Sequence, residues 1–76
     1  MAWAEVVERK VLSKGRIGVT LRDDDSKPVT LPDGHVLKDQ LGHRFRVGPH
    51  KPEDAEYLAL KPLDGDSGPQ KDLVEY

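Results

Sequence analysis

The chain has 76 residues, with 12 Lys+Arg against 14 Asp+Glu, a formal net charge of −2 and no cysteine. That length holds one domain, and the missing cysteines exclude disulfides, thiolate zinc sites, iron–sulfur clusters and cysteine nucleophiles. No apolar run approaches the ~20 residues of a transmembrane helix, and Met1 to Glu5 lacks the basic-then-apolar order of a secretory leader, so a cytoplasmic, membrane-free protein is expected.

Trp3 to Leu12 opens the chain and reads two ways. Trp3, Val6, Val7 and Val11 follow helical spacing, with Lys14-Gly15 as a helix end. The same residues also read as a strand that turns at Ser13-Lys14-Gly15 into the next one. The strand is preferred because the connection is short and the following segment is plainly a strand. Its alternation is nevertheless imperfect. Ile17, Val19 and Leu21 alternate with Gly18, Thr20 and Arg22, the cleanest period of two in the chain. Gly18 marks a bulge or a close backbone approach. Asp23-Asp24-Asp25-Ser26 ends that strand in a turn.

Val29-Thr30-Leu31, Pro32-Asp33-Gly34 and His35-Val36-Leu37 read as strand, tight turn and strand. Leu37 to Gly42 suits one helical turn that places Leu37 and Leu41 inward. His43 to Val47 is a strand with Phe45 and Val47 on one face and Arg44 and Arg46 on the other. Gly48 to Pro52 is a loop, and Tyr57-Leu58-Ala59-Leu60 is the last strand. From Pro62 on, Lys71 stands against Asp64, Asp66, Asp72 and Glu75, and the segment reads as a flexible acidic tail.

The expected architecture is therefore all-β, an SH3-like or, second, an OB-like barrel of five to six short strands over residues 1–62, with residues 63–76 as the tail. Leu, Ile, Val and Phe make up a quarter of the chain, enough for a small core. Its expected members are Val11, Ile17, Val19, Leu21, Val29, Leu31, Val36, Leu41, Phe45, Val47, Leu58 and Leu60, with Trp3 packing one end.

Chemistry-bearing patterns are sparse. His35, His43 and His50 are eight and seven residues apart, which matches no zinc-ligand pattern. No phosphate loop or nucleophile elbow is present. Ser13 and Ser26 fall in turns and Ser67 in the tail, with no neighbouring base. Asp23-Asp24-Asp25 lacks the alternating ligands of a calcium loop. The expectation is a non-enzymatic chain without cofactor or metal.

Charge is the more informative signal. Lys38, Arg44, Arg46 and Lys51 stand against Asp39 alone between His35 and Lys51, with three histidines added. Arg9, Lys10, Lys14 and Arg16 form a second concentration beside Glu8. The candidate binding face is Lys38, His43, Arg44, Arg46, His50 and Lys51, joined by Lys14 and Arg16. The first functional expectation is an adaptor module that binds another protein or a second copy of itself. The alternative is nucleic-acid binding, with both basic segments forming one groove for a phosphate backbone.

Overall fold

The computed structural model describes residues 2–52, 56–65, 68–69 and 72–76. Six strands carry the architecture: β1 (Trp3–Val11), β2 (Ile17–Arg22), β3 (Val36–Asp39), β4 (Arg44–Val47), β5 (Leu58–Pro62) and β6 (Leu73–Glu75). They close into a barrel in the order β1-β2-β5-β4-β3-β6, every neighbour antiparallel. The expected all-β small barrel is what the chain forms. Among the described residues no helix is long and apolar enough to cross a membrane.

The N-terminal segment is a strand. Its uneven alternation has a local cause: the register with β2 shifts between Val6 and Glu8, so Val7 is an extra residue that bulges outward. Before the bulge Ala4 and Val6 face the core. After it, Arg9 lies opposite Val19 and Val11 opposite Ile17. A single 3-10 turn, Ser13–Gly15, joins β1 to β2. Gly18 is a site of close approach, since a Cβ there would lie 2.9 Å from Tyr57 Cβ.

The core consists of Ala4, Val6, Val19, Leu21, Leu37, Phe45, Val47, Leu58, Leu60 and Val74, with Ile17, Val29, Leu31 and Tyr76 packed against it. Val19, Leu21, Phe45, Val47, Leu58 and Leu60 are buried as expected. Four expected members are not. Val11 is 82% exposed, because β1 runs on past the barrel wall. Val36 faces solvent because Leu37 sits opposite Phe45 and claims the inner side. Leu41 is 57% exposed at the tip of the β3–β4 turn. Trp3 is 43% exposed, since its neighbour Ala4 takes the inward position.

Two segments differ in conformation from expectation. Val29–Leu31 is not a strand. Only Pro28 bridges to Arg22, and Val29 N–H bonds the Leu21 carbonyl at 2.9 Å. Pro28 and Pro32 flank this stretch and remove the donors a ladder needs. Leu37–Gly42 is not a helical turn but the end of β3 and a tight reversal. Asp39 is buried there, and its Oδ1 accepts the backbone N–H groups of Leu41 and His43, both at 2.9 Å. An inward carboxylate with two backbone donors stabilises the reversal more directly than a helical turn would.

The domain boundary at residue 62 also moves. Leu73–Glu75 pairs with β1 through Trp3–Glu5 and with β3 through Lys38 and Asp39. Val74 is fully buried between them. The segment read as a tail thus supplies the strand that closes the barrel. Its charges had suggested solvation, but only Val74 has to point inward.

Candidate functional site

Two surfaces stand out from the barrel wall. The first follows from the pleat of β3, β4 and β5. Leu37, Phe45, Val47 and Leu60 point inward, so Val36, Lys38, Arg44, Arg46 and Lys61 point outward. The register sets Lys38 opposite Arg44, and Arg46 between Val36 and Lys61. Like charges directly opposed on a sheet are unfavourable unless something compensates them. Arg44 has such compensation. Its Nε and Nη2 donate to the two carboxylate oxygens of Asp64, both at 2.9 Å, and its backbone N–H donates to Asp64 Oδ2 at 2.8 Å. These hydrogen bonds hold the Asp64 carboxyl down at about 2 and raise the Arg44 guanidinium further above its ordinary value. Lys38 has Glu75 opposite it on β6. Arg46 and Lys61 face each other without an acidic strand neighbour.

The predicted binding residues divide between this face and elsewhere. Lys38, Arg44 and Arg46 come together, and Lys61 joins them. Sequence reading ended the strand at Leu60, although continuing its alternation by one residue puts Lys61 outside. His43 sits in the β3–β4 reversal, its Nδ1 3.2 Å from Asp39 Oδ2. Arg16 is a buried structural cation. It donates to the Pro49 carbonyl at 2.9 Å and to Ser13 through its carbonyl and hydroxyl oxygens at 3.2 and 3.1 Å. It ties the turn carrying Lys14 to the loop carrying His50 and Lys51. In the ring of strands β1 lies across from β4, so the Arg9–Arg16 hairpin and the Arg44–Arg46 strand do not form the single groove expected. Arg9 instead lies 3.6 Å from Asp72, and Lys10 Nζ sits 5.5 Å from the centre of the Tyr57 ring.

His50 makes contacts that bear on catalysis. Its Nδ1 meets Asp33 Oδ1, as in a hydrolytic Asp–His pair. Its Nε2, the atom that would act as base, accepts the Ala59 N–H at 3.4 Å. The pair therefore fastens the Asp33 turn to β5. No three His, Asp or Glu residues among the described ones are arranged so that they could hold a metal ion.

The second surface was not foreseen. Trp3, Leu73 and Tyr76 line a groove of about 630 Å³ together with Ala2 and Asp23, Asp24 and Asp25. Trp3 and Leu73 lie on the outer side of β1 and β6, diagonal to each other across the pair, because Ala4 and Val74 take the inside. Exposed apolar residues are ordinary when scattered; here they share one concavity. Sequence reading missed this because it placed Trp3 inside and Leu73 in a tail. No protein-family profile, curated protein or solved structure gives a significant match to this chain.

Proposed function

We propose that this protein is a cytoplasmic, non-enzymatic adaptor barrel that docks another protein in the Trp3–Leu73–Tyr76 groove. The observation that carries this reading is the gathering of exposed Trp3 and Leu73 in one groove at the β1–β6 seam. Tryptophan is among the side chains enriched in the residues that dominate binding energy, once a partner covers them and excludes water. A sheet seam holds such residues in fixed positions, so little ordering cost opposes docking. A second copy of the chain is the self-associating form of the same reading.

Nucleic-acid binding is the second reading, favoured by the Arg46–Lys61 pair, which has no ion-pair partner among the described residues, beside Lys38 and Arg44. Against it stand the net charge of −2 and the neutralisation of Arg44 by Asp64.

A photo-crosslinking amino acid placed at Leu73, and separately at Lys61, distinguishes the two in native lysate. The protein reading expects nuclease-resistant protein adducts at Leu73 that disappear in Trp3→Ala. Adducts only at Lys61, lost on nuclease treatment, would replace it with the second reading. Sedimentation of the purified chain tests the self-associating form.

A further inference from the structure

Resting on the docking reading above, we infer that the groove takes a basic peptide segment, with an arginine side chain laid along its apolar wall and its guanidinium at Asp24 and Asp25. The inference comes from how the two walls of the groove differ. One wall is the exposed face of Trp3 and Leu73 at the β1–β6 seam. The other is the turn after β2. There Asp23 Oδ1 accepts the N–H groups of Asp25 and Lys27 at 2.9 and 3.0 Å. The Asp23 N–H donates to the Lys27 carbonyl at 2.9 Å, and the Ser26 N–H to the Asp23 carbonyl at 3.0 Å. Asp23 is thus consumed in fixing the turn, and the turn holds Asp24 and Asp25 out into solvent.

Neither of these two carboxylates has an ion-pair partner among the described residues. Arg22 and Lys27 flank the turn in sequence; Arg22 donates instead to the Ser26 carbonyl at 3.1 Å, and Lys27 forms no ion pair with either carboxylate among the described residues.

Each class of occupant meets these walls differently. An anionic one is repelled by two fixed carboxylates. A neutral apolar one covers Trp3 and Leu73 but strips water from Asp24 and Asp25 without replacing it, which is costly. A cation on an aliphatic stem satisfies both walls. Arginine does so best, because its planar guanidinium stacks on an aromatic face and forks onto a carboxylate. A volume of about 630 Å³ falls in the range of sites that hold small ligands. The net charge of −2 favours the approach of a basic partner over an acidic one.

Trp3 is the sole tryptophan, so emission excited selectively at the indole, beyond tyrosine absorption, reports on this groove alone. The probe is a short peptide of alternating arginine and serine, compared with the same peptide bearing citrulline, which keeps the shape of arginine and lacks its charge. Expected is a saturable change in Trp3 emission with the arginine peptide and little with the citrulline peptide. The double variant Asp24→Asn, Asp25→Asn should weaken binding about tenfold, as two exposed charge contacts would. Methyl resonances of Leu73 should shift in the same titration, an independent readout of place.

Equal binding of both peptides, or arginine binding unchanged in the double variant, overturns the proposal. So does the absence of any response to the arginine peptide. If Leu73 crosslinks to a protein in lysate in any of these cases, the docking reading survives and only the basic partner is wrong. If that crosslink also fails, both fall.

Discussion

At the residue scale, three side-chain environments carry distinct expectations. Phe45 is almost wholly buried at the centre of the barrel. Phe45→Ala should cost about 3–5 kcal/mol, comparable to the entire stability of a small domain. Chemical denaturation would then show most of the molecules unfolded before denaturant is added. Gly48 has φ +87°, and a Cβ there would lie 2.5 Å from Asp33 Cγ. Gly48→Ala is therefore both conformationally strained and crowded, and should cost roughly 1–3 kcal/mol; a melting temperature equal to wild type would contradict this. The Arg44–Asp64 link gives a pH signature. Asp64 titrates at about 2 in the folded chain against 3.8 ordinarily, so its ion pair favours folding at pH values above 3.8. That contribution fades as the pH falls through about 2. Asp64→Asn should unfold more readily than wild type near neutral pH, and the two midpoints should converge in strong acid. The gap should also shrink in high salt, since both partners are exposed.

At the scale of elements, β6 separates a structural from a dispensable C-terminal segment. It has only three residues, yet it pairs on both sides, and its middle residue is completely buried. Deleting residues 73–76 would unpair one edge of β1 and one of β3 and leave the Val74 site as a hole beside Ala4. In a domain this small the loss leaves too little burial for a cooperative fold. The truncated chain should show no sigmoidal thermal transition by circular dichroism, and a sharp transition near the wild-type midpoint would assign β6 a marginal role. The β3–β4 reversal is organised by the opposite kind of residue. There buried Asp39 collects backbone donors that would otherwise go unpaired.

For the whole molecule, closure governs both folding and charge. The seam joins Trp3 to Glu75, so the barrel is complete only when the first and last strands meet. Contacts of such sequence separation are slow to form, and folding in milliseconds to seconds is expected, well above the microsecond range of helical bundles. Stopped-flow emission of Trp3, which lies at the seam, measures that step directly. Closure also decides which charges become neighbours. It places Glu75 opposite Lys38 and sets Arg46 against Lys61, while the basic β1–β2 hairpin ends up across the ring. If the Lys38–Lys61 face binds phosphates, three to four contacts would give log affinity a salt slope of about −2.7 to −3.6 for duplex DNA. The docking reading expects no such affinity at physiological salt, and titration with labelled oligonucleotides at two ionic strengths decides between them.

Much of what depends on local periodicity is legible in the chain alone. The alternation in Ile17–Leu21, His43–Val47 and Tyr57–Leu60 marked three strands, whose observed starts at Arg44 and Leu58 lie one residue later in the last two, whereas the same signal at Val29–Leu31 marked a segment that is not a strand. Pro32-Asp33-Gly34 marked a turn, and the Pro32 carbonyl does accept the His35 N–H at 3.1 Å. The tertiary structure decided what depends on partners far away in the chain. Alternation cannot say where a strand outruns the wall, which is why Val11 is exposed, nor which side an isolated pair such as Val36-Leu37 turns inward until Phe45 stands opposite it. A charged stretch with a single valine looks like solvated tail until two edges await it, and Arg44 looks like a free cation until Asp64, twenty residues later, lies against it. The groove at Trp3 follows from the same cause: its residues come from both ends of the chain and from the turn after β2, and only barrel closure brings them together.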